Sequence, residues 1–327
     1  MKVCVFSTQK YDELALKQWG DPTIVWTFLS QKLDLVSVHA AAGADAVCVF
    51  VNDQLDAPVL TALQALGIRF IALRCAGYNN VDVQTAKQLG FSLARVPAYS
   101  PQAVAEHSVG LMLSLSRKFH KAYNRTRDNN FDLNGLLGFN LYGKTVGVIG
   151  TGRIGTAAVQ ILRGFGCRVL CVDPVQDPQV IALGATYVSA EQLYPQADII
   201  SLYCPLTPET AHLINSHSLE QMKDGVMLIN TSRGALVDTK AVIKALKSSK
   251  IGYLGLDVYE QEADLFFKDL SDQIIGDEVF QRLLTFPNVL ITGHQAFFTA
   301  EALEQISRIT SDNLIQLWRG EHCPNTL

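Results

Sequence analysis

The sequence predicts an α/β protein built from two parallel-sheet domains. Three observations carry that prediction. Short apolar runs rich in β-branched residues recur along nearly the whole chain, and helical patterns lie between many of them. The runs are continuous rather than alternating, as strands covered on both faces should be. They also fall into two series, separated by one long helical stretch. With 327 residues, 48% of them hydrophobic and 18% charged, the chain is globular and long enough for two cores.

The first series predicts strands at residues 2–7, 45–51, 69–74 and 91–96, with helices at 58–66 and 83–89 between some of them. The opening apolar run is too short for a signal peptide before Gln9, Lys10, Tyr11 and Asp12 intervene, so it reads as the first strand. Residues 103–123 read as one long helix. The second series predicts strands at 145–150, 168–173, 197–203, 226–231, 251–258 and 288–292, and a last helix at 300–318 ends at Gly320.

Bulk properties exclude several function classes. The net charge is only -4 and no run of Lys or Arg marks a nucleic-acid surface. No apolar run approaches the length of a membrane span, so no membrane partner is expected. The seven cysteines are odd in number and scattered, without CxxC spacing. Neither a metal site nor a disulfide framework is expected; reduced, buried thiols in a cytoplasmic protein are.

The second series opens with chemistry. Gly150-Thr-Gly152-Arg153-Ile154-Gly155 closes an apolar strand and opens an apolar helix, and the next strand ends at Asp173, eighteen residues beyond Gly155. A glycine triplet alone is weak, but this is the full context of a dinucleotide site. Gly150 permits the tight turn, Gly152 lets the backbone approach a pyrophosphate, and Gly155 lets helix and strand pack closely. The helix N-terminus offers free N–H groups and a positive dipole. Asp173 can accept from both ribose hydroxyls and would repel a 2′-phosphate, so the expected cofactor is NAD rather than NADP.

Three polar side chains further on each lie just past a predicted strand: Arg233, Glu262 and His294. Strand carboxyl ends meet at the ligand crevice of an open α/β sheet. The residue types suit hydride transfer to a 2-oxo acid. An arginine fork pairs with a carboxylate, a histidine moves the proton at the carbonyl oxygen, and a glutamate on the other ring nitrogen orients it. Taken singly, each has a plainer reading. Arg233 reads as a solvated cation, His294 as a structural histidine, and Glu262, beside Glu260 and Asp264, as surface charge.

The segments around these residues resemble the D-isomer-specific 2-hydroxyacid dehydrogenases. The likeness rests on the glycine motif, the run from Asn230 to Asp238, the stretch from Gly255 to Tyr259, and Gly293-His294. Arg74 to Asp82 and Arg95 to His107 extend it over nearly the whole chain. The run from His294 to Thr299, and the long segment from Asp264 to Phe280, are similar to the branch acting on pyruvate and D-lactate. The resemblance implies a Rossmann-like and flavodoxin-like pair of domains. Residues 1–100 and 298–327 would form the substrate domain, split by an inserted NAD-binding domain at 101–297. It implies that Arg233 holds the substrate carboxylate and that His294 is the acid/base with Glu262 as partner. The backbone of Ala76 and Gly77 would also bind the carboxylate. Tyr99 would line the substrate pocket, and Phe297 or Phe298 would limit substrate size.

For NAD, the resemblance implies contacts from Arg153, Ile154 and Asp173, with Cys204, Pro205 and Thr210 around the adenosine half. Thr231 and Asp257 would lie near the nicotinamide, and Ser232 would also contact the cofactor. The 103–123 helix would serve as hinge and dimer surface, although Val104, Val109, Leu111, Met112 and Leu115 equally suit a core. A homodimer or higher homo-oligomer, with a tetramer open, is the expected assembly. His107 reads as structural, and His212 and His217 as solvated. The alternatives are reduction of another small 2-oxo acid (glyoxylate, hydroxypyruvate or 2-oxobutyrate) and a non-catalytic NAD-sensing role.

Overall fold

The computed structural model describes residues 1–327, the side chain of Asp264 excepted. The chain divides into two units: Met1–Ser100 with Phe298–Leu327, and Pro101–Phe297.

In the first unit, β1 (Lys2–Val5), β2 (Val25–Phe28), β3 (Ala46–Val49), β4 (Phe70–Leu73) and β5 (Ser92–Arg95) form one sheet in the order β2-β1-β3-β4-β5. Every pairing is parallel, and the order is the flavodoxin-like one. Alternate side chains bury on opposite faces. Val3, Val5, Ala46 and Cys48 pack with Leu16 and Leu314, while Cys4, Phe6, Val47 and Val49 pack with Leu60 and Leu63. Double burial explains the continuous apolar runs. Strand β2 is absent from the expected set for the converse reason. It lies at the edge, with Val25 and Thr27 exposed, and lacks the continuous signature.

The second unit holds β6 (Thr145–Ile149), β7 (Arg168–Val172), β8 (Thr186–Tyr187), β9 (Ile199–Leu202), β10 (Val226–Asn230), β11 (Ile251–Leu256) and β12 (Val289–Ile291), in the order β12-β11-β10-β9-β6-β7-β8. All pairings are again parallel. This is the Rossmann arrangement with one further strand, and the chain reverses direction across the sheet between β6 and β9. The α/β class with two parallel sheets is therefore as the sequence predicts.

The 103–123 helix is corrected. Two helices stand there, Pro101–Arg117 and Phe119–Arg127, broken at Lys118 in the left-handed region (φ 55°). The Ser116 carbonyl, which a continuing helix would use, accepts instead from the Phe139 N–H at 3.3 Å. A Cβ on Gly138 would lie 2.0 Å from that carbonyl oxygen, so the returning chain needs glycine there. Val104, Val109, Leu111, Met112 and Leu115 are all buried within the chain, which makes that face core.

Candidate active site

Because the second sheet is wholly parallel, the carboxyl ends of its strands share one edge. From the centre outward that edge carries Gly150 after β6, Cys204 after β9, Arg233 after β10, Glu262 after β11 and His294 after β12. Asp173 follows β7 on the other side.

The glycine loop fits a dinucleotide. Gly150 has φ +94°, and a Cβ there would meet Cys204 N at 2.4 Å, so the turn crosses the β6–β9 switch point at backbone contact. A Cβ on Gly155 would sit 2.0 Å from the Gly150 oxygen, so helix and strand touch there. Gly152 behaves in the opposite way: a Cβ would meet nothing within 4 Å, leaving its backbone open to an approaching ligand. Gly152 caps the twelve-residue helix Arg153–Gly164 without any side-chain hydrogen bond. Its first-turn amides, near Arg153 and Ile154, are left for an anion. Asp173 accepts from Thr151 N at 2.7 Å and Val175 N at 2.9 Å, which fixes the carboxylate beside the loop.

The three candidate catalytic residues are positioned by local structure and by one close approach. Arg233 follows β10 in a turn held by Asn230, a fully buried residue. Asn230 Nδ2 donates to the Arg233 carbonyl at 2.9 Å, and its Oδ1 accepts from Ser232 N at 3.1 Å. Arg233 Nη1 donates to the Ser232 carbonyl at 2.7 Å. Gly234 then presses on the next loop, since a Cβ there would lie 2.1 Å from the Tyr259 carbonyl carbon. That contact sets the Arg233 turn against the segment leading to Glu262.

Glu262 Oε2 accepts from Tyr259 N at 2.9 Å, and Glu262 Oε1 lies 2.8 Å from His294 Nδ1. Both side chains are largely sheltered, 18% exposed for His294 and 20% for Glu262, so Glu262 is no surface charge. The Phe267 ring lies 5.6 Å from the imidazole. His294 has φ +55°.

The other expected contacts fall in both units. In the first, Ala76 and Gly77 form the loop after β4; Arg95 Nη1 donates to the Ala76 carbonyl at 2.5 Å and Cys75 Sγ to the Gly77 carbonyl at 3.3 Å. Tyr99 is half-buried, and Phe298 is exposed with its ring 4.6 Å from that of Tyr11. In the second unit, Phe297 is buried. The Cys204 carbonyl accepts from Ser232 Oγ at 2.7 Å, and the Pro205 carbonyl from Thr210 Oγ1 at 2.6 Å, so these groups brace one another's loops. Thr231 is buried, with Oγ1 2.8 Å from Ser108 Oγ.

Three residues make contacts beyond those expected. Asp257, expected beside the nicotinamide, is fully enclosed, and its oxygens face the residue 292–296 turn. His212 is more than a solvated side chain: its Nε2 lies 2.7 Å from Glu260 Oε1, while Glu260 Oε2 accepts from Thr239 Oγ1 at 2.9 Å. Asn230 was not foreseen; an asparagine ending a buried apolar strand was the available signal. His217 is exposed as expected.

The family model for the D-isomer specific 2-hydroxyacid dehydrogenase NAD binding domain matches residues 109–296, more than half of the chain. The chain belongs to the D-isomer specific 2-hydroxyacid dehydrogenase family, and its second unit carries the family's NAD-binding domain. Among its relatives, the D-lactate dehydrogenase of Escherichia coli K12 is 54% identical, over 100% of both chains. The apo structure of D-lactate dehydrogenase from Escherichia coli superposes with a TM-score of 0.92 at 52% identity, over 100% of each chain. The pyruvate reductase of Chlamydomonas reinhardtii does so at 0.93 and 41% identity, over 99% of this chain and 98% of that one. No helix among the described residues is long and apolar enough to cross a membrane.

Proposed function

We propose that this chain reduces pyruvate to D-lactate with NADH, and reverses the reaction with NAD. The observation that carries the reading is the His294–Glu262 pair at 2.8 Å, set one strand from Arg233 on the cofactor-binding edge. Likeness to relatives named for this activity supports it.

Bound NADH supplies the hydride to the keto carbon. Arg233 pairs with the substrate carboxylate through its planar fork. Glu262 accepts from His294 Nδ1–H, which leaves Nε2 to face the substrate oxygen. In reduction, Nε2 gives its proton to that oxygen; in oxidation of D-lactate, neutral His294 takes it back. One proton is consumed per pyruvate, so protons and electrons balance. The Ala76–Gly77 backbone is the further carboxylate contact, Tyr99 lines the pocket, and Phe297 or Phe298 limits the substrate side chain. Gly150, Gly152, Arg153, Ile154, Gly155 and Asp173 hold the pyrophosphate and the adenosine ribose, with Cys204, Pro205 and Thr210 beside the adenosine. Thr231 and Ser232 lie toward the nicotinamide.

A homo-oligomer, dimer or tetramer, completes the reading. Phe119, Tyr123, Phe131, Leu133, Leu137 and Tyr142 are exposed apolar side chains within residues 119–142, more than a monomer ordinarily leaves in one short segment. The seven buried, free cysteines suit a cytoplasmic setting. Light scattering reports the assembly. NADH oxidation with pyruvate, glyoxylate, hydroxypyruvate and 2-oxobutyrate tests the reaction: pyruvate is expected to show the highest kcat/KM, and preference for another acid would replace it as substrate.

A further inference from the structure

His107 lies on the helix Pro101–Arg117, inside the second unit. Its Nε2 is 3.0 Å from Thr292 Oγ1 and 3.4 Å from Asp257 Oδ1. Thr292 has a single hydroxyl proton, and it goes to Asp257 Oδ1. The Thr292 oxygen therefore accepts from His107, which places a proton on Nε2.

Asp257 is fully buried, and its other donors come from the same turn. Oδ1 accepts from Gln295 N at 2.9 Å, Oδ2 from Ala296 N at 2.8 Å, and its carbonyl from His294 N at 2.7 Å. His294 stands in the middle of that turn with φ +55°, a conformation uncommon for residues with a side chain. Burial alone would push the Asp257 carboxyl up. The hydrogen bonds from His107, Thr292 and Ala296 outweigh it and keep the group below the usual carboxylate value. A charged clamp thus grips the turn at several points, and His107 completes it from outside.

We propose that His107 is a positioning residue for hydride transfer: through Thr292 and Asp257 it holds the 292–296 turn so that the His294 ring meets Glu262. The inference rests on His294 being the acid/base group. The neighbouring residue does the same for the other loop. Ser108 Oγ donates to the Val104 carbonyl, so Thr231 Oγ1, 2.8 Å away, donates to Ser108. Successive residues of one helix thereby brace the loops that carry Arg233 and His294.

The test compares wild type with His107→Leu, His107→Gln and Thr292→Val. Leu removes the donor at similar bulk, Gln restores an N–H, and Val cuts the link from the other side. His107→Leu and Thr292→Val are expected to lower kcat by about 10–100-fold, the scale of a misplaced reacting group. KM for pyruvate and NADH affinity should hold. The solvent deuterium isotope effect on kcat should rise as proton transfer becomes limiting, and Gln should recover most of the rate. Wild-type kcat in either His107→Leu or Thr292→Val overturns the proposal, as does a loss in kcat and KM together that Gln fails to rescue. A wild-type protein inactive with every 2-oxo acid refutes the reaction itself, a result separate from an active wild type with an equally active His107→Leu.

Discussion

Glu262→Gln isolates what the charge of one carboxylate does for the reaction. Glu262 Oε1 and His294 Nδ1 are 2.8 Å apart in a sheltered position, so salt screens the pair little. A hydrogen bond to a charged group is worth about 1.5–3 kcal/mol, against about half that for a neutral one. The lost charge therefore amounts to about 0.75–1.5 kcal/mol, or about 4–13-fold in rate. Glu262 fixes the His294 ring through Nδ1, which in the proposed reaction presents Nε2 to the substrate oxygen. Without the carboxylate, kcat for pyruvate reduction should fall by about 4–13-fold, with KM for pyruvate nearly unchanged. The amide has a single acceptor oxygen where Glu262 uses two, toward His294 and Tyr259 N. One contact is lost with the charge, and the fold should weaken by about 1 kcal/mol. Steady-state rates in both directions read the effect. An unchanged kcat would refute the pairing as what readies His294 for the reaction.

The remaining predictions concern binding and reactivity. Arg233→Lys should raise KM for pyruvate by about 10–100-fold, because an ammonium cannot reproduce the bidentate fork; an unchanged KM would remove Arg233 from the carboxylate. Gly155→Ala drives a Cβ to 2.0 Å from the Gly150 oxygen, so thermal melting should show a loss of about 1–3 kcal/mol. Gly152→Ala meets nothing within 4 Å and should melt like wild type yet lose NADH affinity in a fluorescence titration; unchanged affinity would remove the pyrophosphate from that loop. Burial pushes the Cys204 thiol up to about 11 and that of Cys171 to about 12. At pH 8 the Cys204 thiolate fraction is then about 10⁻³, so native protein should resist thiol reagents, and all seven cysteines should react on denaturation; rapid labelling of Cys204 in the native state would contradict its burial.

What was legible in the sequence was what local chain geometry writes into it. The Gly150–Gly155 loop and Asp173 stand at fixed spacing on a strand–turn–helix, so their relation survives in one dimension. Arg233, Glu262 and His294 were readable one at a time, as polar residues ending apolar strands. Their pairing was suggested by residue type and resemblance rather than by spacing, because the 2.8 Å contact joins residues 32 apart. The sheet order that makes their strands neighbours is also non-local. The Asp257 clamp was hidden for the same reason: His107 and Thr292 are 185 residues apart. The break at Lys118 carried no glycine or proline, and only the returning backbone at Gly138 explains it. Strands were expected to run one or two residues too far because the loops after them stay apolar or extended, as with Val258 after β11. The two-residue strand β8 and the half-exposed β2 lie at sheet edges, where burial no longer writes an apolar run.

The central claim is tested most directly by chiral analysis of the lactate formed when the purified protein consumes NADH and pyruvate. If Arg233 and His294 hold the substrate as proposed, hydride reaches the carbonyl from a single face; the D-isomer specificity of the family then makes D-lactate alone the expected product, with D-lactate and not L-lactate oxidised in reverse. L-lactate, a racemic product or no lactate at all would contradict the account.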